Sequence, residues 1–252
     1  MGHATFPVMV VVSLYFPVVV FFTTPFLTFI FLVLGICIAG AASRSHDVFA
    51  ALIMLLCFTS YWEFGGDLFF WPLHLAMPLA MMVVIIVMFD NDLDKVRGLF
   101  RLNISSLRAS DVALSGVTIL LSLAGLMFWL EVTNSDLTDF RLMILFQSTA
   151  LLLLSAAIFS VINALLEEVV WRGILLRALI KKSNATVAVV VSAASFGIAH
   201  FHGVPNGILG VILSGFYAVL LSLLALRTGG IFAPIVTHIF ADIAVFIAVL
   251  HG

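Results

Sequence analysis

The chain has 252 residues, of which 63% are hydrophobic and only 10% are charged, and its formal net charge is −2. A soluble domain carries roughly 25% charged residues and a nucleic-acid binder needs a basic surface, so the composition excludes both classes. Mostly apolar runs that are long enough to cross a bilayer recur from one end of the sequence to the other. The composition therefore predicts an all-α protein, a polytopic transmembrane helix bundle.

The apolar segments predict eight or nine membrane spans. In chain order they are 6–22, 26–42, 48–62, 70–89, 111–131, 142–165, 186–201, 207–227 and 231–250. The count depends on the first two, where Thr23-Thr24-Pro25 interrupts a run that is too long for one span. Nine of the eleven Lys and Arg residues fall on one side of the nine-span layout. By the positive-inside rule the N-terminus is then cytoplasmic and the C-terminus outside. The length and the short loops favour the cytoplasmic membrane of a prokaryote.

The charges inside the apolar segments divide the chain into two parts. Residues 1–140 are predicted to hold the N-terminal spans and a polar cytoplasmic loop, and residues 141–252 a core of four transmembrane helices. Ionisable residues at membrane depth lie in this second part: Glu167, Glu168, Arg172, His200, His238 and Asp242. A charge at the bilayer centre costs ~2.5–3.5 kcal/mol on insertion scales, so these residues are candidates for function.

The spacing of these residues places them on facing surfaces. Three pairs stand four residues apart, which puts both members on one face of a helix: Glu168 with Arg172, Phe196 with His200, and His238 with Asp242. Glu167 and His200 are also about equally far from the turn at Ser183-Asn184. In an antiparallel hairpin they should therefore lie level, roughly 25 Å from the turn at ~1.5 Å per residue.

Two carboxylates and two histidines in one buried layer support two kinds of hydrolysis. Glu167, His200, His238 and Asp242 could hold a divalent metal, zinc above all, with an open position for water. Alternatively, a glutamate acts directly as the general base on a water, while the histidines hold the water and the developing oxyanion. In a site buried in lipid, the expected substrate is a peptide bond carried in or near the membrane.

Three motifs in this region resemble those of a known family. Glu167-Glu168-Val-Val-Trp-Arg172 resembles E-E-x-x-x-R, Phe196-Gly-Ile-Ala-His200 resembles F-x-x-x-H, and His238-Ile-Phe-Ala-Asp242 resembles H-x-x-x-N/D. Their order is similar to that of the CPBP family of intramembrane proteases. That family includes the type II CAAX prenyl endopeptidases and the Abi proteins, which are linked to bacteriocin processing and immunity. The resemblance covers about Leu142 to Leu250.

The resemblance implies a glutamate-dependent endopeptidase and a role for each motif residue. Glu167 would activate water, His200 and His238 would orient it and stabilise the oxyanion, and Glu168, Arg172 and Phe196 would support them. The family is historically described as metalloproteases, although a metal-free mechanism is argued for the prenyl-protease branch. Many members carry Asn where this chain has Asp242, so Asp242 must be protonated, orient a histidine or ligate a metal.

Two other functions are compatible with buried charges. A catalytically silent scaffold or immunity protein of the same fold would not need intact motifs, yet all three motifs are present. A proton-coupled transporter would be expected to show repeated or broken helices in both halves, and the first half has almost no buried charge. The expected partners are the lipid bilayer and a membrane-associated protein or peptide substrate, with no nucleic acid and with zinc as the one candidate cofactor.

Overall fold

The computed structural model describes residues 10, 14, 107–135, 137–138 and 148–251. Apart from residues 10 and 14, the four spans predicted before residue 90 lie outside these residues, as does the boundary predicted between residues 140 and 141. Every regular element within them is a helix, which confirms the all-α prediction for this part of the chain. The count of eight or nine spans stays a prediction.

The helices of the described residues follow one another with short connections. In chain order they are α1 (Ala109–Thr133), α2 (Thr149–Glu168), a π-helix (Val169–Leu176), α3 (Arg177–Ile180), α4 (Ala185–Ala199), α5 (Gly207–Thr228) and α6 (Phe232–His251). Four helical stretches are long and apolar enough to cross a membrane: α1, the continuous helix from Thr149 to Ile180, α5, and α6 over Phe232–Leu250. α4 is apolar but shorter.

Many large apolar side chains are exposed and several charged side chains are buried, as expected for a protein with apolar surroundings. Leu120, Met127 and Leu153 are 65–67% exposed, whereas Glu168 and Arg172 are at most 1% exposed. Such exposed apolar side chains belong against lipid, and buried charges must find partners inside the bundle. The helix predicted over 142–165 continues to Ile180, and within this extension Glu168 and Arg172 pair with each other inside the protein.

The π-helix follows directly after the two glutamates. All eight of its residues, Val169–Leu176, are buried. Its Trp171 carbonyl accepts a hydrogen bond from Ser192 of α4 (3.2 Å), and its Trp171 indole donates to Ser195 (3.4 Å). A π-helix bonds residue i to i+5, so it advances less per residue than an α-helix. Glu167 therefore lies nearer to the turn before α4 than the α-helical spacing predicts.

α1 packs against α5 and α6, although it precedes the predicted core of four helices. At one end the buried Asp111 accepts a hydrogen bond from Arg227 (2.9 Å), whose guanidinium also donates to Ser110 (3.0 Å). At the other end the buried Trp129 indole donates to the carbonyl of Asn206 (3.1 Å). These contacts fix α1 beside the helices that carry the second and third motifs.

The backbones of α4 and α5 lie in close contact at Gly197. A Cβ atom at Gly197 would lie 2.5 Å from the Val211 carbonyl oxygen and 3.0 Å from the Gly215 Cα. Small residues allow helix backbones to approach in this way within a membrane. Because His200 stands three residues after Gly197, this contact also sets the position of the histidine.

Gly197→Ala should separate α4 from α5 and lower the stability of the protein. Overpacking of this kind costs about 1–3 kcal/mol, and here the nearest atom is backbone, which cannot rotate away. Thermal unfolding in detergent measures the loss. Gly215→Ala is the matched control, since its Cβ would meet its nearest neighbour, the Ala193 carbonyl oxygen, at an ordinary 3.6 Å. Equal losses in both variants would contradict the close approach.

Candidate active site

Three helices bring the four predicted catalytic residues together. Glu167 lies at the end of α2, His200 directly after α4, and His238 and Asp242 on α6. Glu167 Oε2 is 3.8 Å from His200 Nε2 and 3.5 Å from His238 Nε2. His238 Nε2 is also 3.5 Å from Asp242 Oδ1. The two histidine Nε2 atoms thus face one glutamate oxygen in a buried layer.

Glu168 is the neighbour that holds this layer in place. Its Oε1 accepts a hydrogen bond from Arg172 Nη1 (2.8 Å), which is the pair predicted from their spacing. The same oxygen lies 2.7 Å from His238 Nδ1. An ionised carboxylate only accepts hydrogen bonds, so Nδ1 of His238 is the donor. Glu168 therefore connects the π-helix to α6 and leaves His238 Nε2 directed at Glu167 and Asp242.

Phe196 supports both Arg172 and His200. Its ring stacks on the His200 ring, with centroids 4.2 Å apart and planes 30° apart, and the Arg172 guanidinium carbon lies 4.6 Å from its centroid. The Phe196 carbonyl oxygen is 2.9 Å from His200 Nδ1. Because a carbonyl oxygen only accepts, Nδ1 carries the proton, and a neutral His200 presents an unprotonated Nε2 to Glu167.

Asp242 is held by a residue outside the three motifs. Its Oδ2 accepts a hydrogen bond from the side-chain amide of Asn163 on α2 (3.1 Å). Its Oδ1 faces His238 Nε2 at 3.5 Å. The sequence left three roles open for Asp242: a protonated acid, a group that orients a histidine, or a metal ligand. This geometry favours the orientation of a histidine.

A cavity of about 100 Å³ adjoins the site. His200, His238 and Asp242 line it at one side, together with Tyr217 of α5. α1 contributes a second wall, which is formed by Leu121, Ser122, Gly125 and Leu126. The cavity thus reaches the histidines through a largely apolar cleft between α1, α5 and α6.

The residues proposed for zinc have suitable donor chemistry, since imidazole nitrogens and carboxylate oxygens are its usual ligands. Their arrangement is less suitable. In the ranges that the structure describes, no group of three or more His, Cys, Asp and Glu side chains is arranged to hold a metal ion. We therefore derive no chemical step through a metal.

Two polar residues of the site, Asn163 and Tyr217, lie outside the three motifs, and the sequence did not assign them a role. Asn163 stands four residues before Glu167, so helical periodicity already places it on the same face. Tyr217 gave no such signal, because it lies in an apolar helix that carries none of the three motifs. Only the packing of α5 against α6 brings its ring near His238, at a centroid distance of 5.5 Å.

Comparison with known proteins supports the resemblance seen in the motifs. Residues 149–244 match the family model described as type II CAAX prenyl endopeptidase Rce1-like. The matched segment runs from the start of α2 to just past Asp242, so it contains all three motifs, but it is less than half of the 252-residue chain. No curated protein and no solved structure gives a match.

Arg172→Ala should destabilise the protein strongly. It removes the guanidinium partner of the fully buried Glu168, and removing one partner of a buried ion pair typically costs ~3–5 kcal/mol. Thermal unfolding in detergent measures the loss. The double variant Glu168→Gln with Arg172→Met should recover part of it, because the glutamine carbonyl still accepts from His238 and no charge is left unpaired.

The exposed Lys182 near the end of the same helix provides the control. Lys182→Ala removes an exposed positive charge, so its stability should stay within about 0.5 kcal/mol of wild type. An Arg172→Ala protein that is as stable as Lys182→Ala would show that the buried pair contributes nothing.

Proposed function

On the basis of the Rce1-like segment at residues 149–244, we propose that the chain is an intramembrane endopeptidase whose Glu167 activates the attacking water. One observation carries the assignment of the base. Glu167 Oε2 is buried and has no hydrogen-bond partner among the described residues, while two histidine nitrogens face it at 3.5 and 3.8 Å. A buried carboxylate oxygen without a partner is costly, and a general base needs such an oxygen free to take a proton.

In the proposed reaction a water molecule binds between Glu167 and His200. Glu167 takes one proton of the water, and the unprotonated Nε2 of a neutral His200 accepts a hydrogen bond from its other O–H group. The water oxygen forms a bond to the carbonyl carbon of the substrate, and the carbonyl oxygen becomes an oxyanion. Glu167 then passes its proton to the amide nitrogen, the C–N bond breaks, and an acid and an amine are released.

His238 is proposed to stabilise the oxyanion. Its Nδ1–H group is directed at Glu168, and a ring protonated at both nitrogens donates from Nε2 toward the reacting atoms. Such a preformed donor is effective because it need not reorient when negative charge develops. Asp242, which is fixed by Asn163, holds the ring in this orientation.

The proposed substrate is a membrane-associated or lipid-anchored protein or peptide. The cleft that reaches the histidines has an apolar wall from α1, which suits a substrate presented from the bilayer. The matched family is named for CAAX prenyl endopeptidases, so a farnesylated peptide that ends in a CAAX sequence is the first probe to use. We place the protein in a prokaryotic cytoplasmic membrane with its N-terminus inside and its C-terminus outside.

Glu167→Gln should abolish cleavage of a quenched farnesylated CAAX peptide and leave the protein folded. The amide keeps the shape of the side chain but cannot take a proton, and a general base contributes about 10²–10⁴-fold to the rate. Fluorescence release in proteoliposomes measures kcat, and thermal unfolding checks the fold. The matched control is Glu131→Gln, which changes an exposed glutamate at the end of α1 and should keep wild-type activity. Near wild-type cleavage by Glu167→Gln would contradict the assignment of the base.

The requirement for a metal is tested at Asp242. We expect purified wild-type protein to hold far less than one zinc per chain. We expect Asp242→Asn to retain cleavage, because the amide oxygen still accepts the hydrogen bond from Asn163 and Glu168 still orients the His238 ring through Nδ1. Elemental analysis of both proteins, together with the peptide assay, measures this. If Glu167, His200, His238 and Asp242 hold zinc, Asn is the poorer ligand. Near-stoichiometric zinc that is lost together with activity in Asp242→Asn would overturn the metal-free mechanism.

A further inference from the structure

Tyr217 of α5 is a polar side chain of the site that the proposed reaction does not use. Its hydroxyl oxygen is buried and has no hydrogen-bond partner among the described residues. Its side chain lines the same cavity as His200, His238 and Asp242. Its ring is nearly perpendicular to that of His238, at 82°, with centroids 5.5 Å apart. A buried hydroxyl without a partner is unfavourable, and because Tyr217 also lines the cavity, a ligand bound there could supply the partner.

The site is rich in acceptors and poor in donors. Glu167 must be ionised to act as the base and then only accepts hydrogen bonds, the two oxygens of Asp242 face the Asn163 amide and His238 Nε2, and a neutral His200 presents an unprotonated Nε2. Asp242 already accepts a hydrogen bond from the side-chain amide of Asn163, which is not one of the three motif residues. His238 is then the one motif residue that donates toward an oxyanion. Acyl-transfer sites stabilise this charge with preformed donors, commonly more than one.

We propose that Tyr217 is a catalytic residue: its hydroxyl donates a second hydrogen bond to the oxyanion, in addition to the one from His238. This inference rests on the proposed peptidase activity. The hydroxyl has one proton to donate and has no competing partner among the described residues, and the Tyr217 side chain lines the cavity that reaches His200, His238 and Asp242. It keeps its proton throughout the reaction, so the bonds formed and broken are those given above.

Tyr217→Phe tests this role by removing one oxygen atom while the ring stays beside His238. Loss of one oxyanion donor costs about 10²–10³-fold in kcat. We expect a fall of that size in cleavage of the farnesylated CAAX peptide, with KM nearly unchanged and thermal stability close to wild type. Unchanged kcat, or a Tyr217→Phe protein that does not fold in detergent, would overturn the inference.

Ser222→Ala is the matched control. Ser222 lies on the same helix, and its buried hydroxyl is also without a partner among the described residues, but it does not line the cavity. Its kcat should equal that of wild type. If Ser222→Ala lowers kcat as much as Tyr217→Phe does, loss of any buried hydroxyl from α5 has the same effect, and the specific role of Tyr217 is wrong.

A second substitution separates donation from structure. In Asp242→Asn the side-chain oxygen can still accept from Asn163, and the new N–H groups can donate into the cavity. Adding Asp242→Asn to Tyr217→Phe should therefore raise kcat at least about tenfold above that of Tyr217→Phe alone. A roughly tenfold gain is part of the loss in kcat expected when one oxyanion donor is removed. No recovery would overturn the donor role, since a purely structural defect would not respond to a new N–H group.

The outcome for Glu167→Gln distinguishes this inference from the proposed function. If Glu167→Gln is inactive while Tyr217→Phe cleaves at the wild-type rate, only the role of Tyr217 is wrong. If Glu167→Gln cleaves like wild type, the proposed mechanism itself is wrong and the inference falls with it.

Discussion

The arrangement of the site depends on the need to satisfy the buried carboxylate of Glu168. Its Oε1 accepts hydrogen bonds from Arg172 of the following π-helix (2.8 Å) and from His238 of α6 (2.7 Å). A charge with so little access to solvent is tolerated only where such partners are in place. The hydrogen bond to His238 fixes α6 against the end of α2, and it leaves His238 Nε2 directed at Glu167. The need to satisfy one buried charge thus also orients His238 toward Glu167.

His200 depends on packing more than on charge. The close contact at Gly197 brings α4 against α5, and the Phe196 ring supports the imidazole from one side. The Phe196 carbonyl then selects the protonated nitrogen of His200. Because Phe196 also lies beneath the Arg172 guanidinium, one aromatic ring links the position of His200 to the ion pair at Glu168. The two histidines are therefore positioned by one connected set of contacts.

The segment that matches the Rce1-like family does not enclose its own cavity. Residues 149–244 carry the three motifs, yet one wall of the cleft comes from α1, which precedes that segment. Asp111 and Trp129 hold α1 in place through Arg227 and the Asn206 carbonyl. The three motifs and one wall of the cleft are thus encoded in different parts of the sequence. In the proposed enzyme, substitutions in α1 would change the shape of the cleft without any change in the motifs.

The sequence by itself determined the helical class, the apolar segments after residue 110 and the pairing of Glu168 with Arg172. It also identified Glu167, His200, His238 and Asp242 as one group. These follow from local rules, since apolar length, helical periodicity and the cost of a buried charge are all read along a single segment. Only the tertiary structure decided that Glu168 bonds His238, that Asn163 bonds Asp242 and that Tyr217 lines the cavity. Each of these contacts joins different helices, and the angle and rotation at which helices cross depend on side-chain packing between them, which periodicity within one helix does not specify.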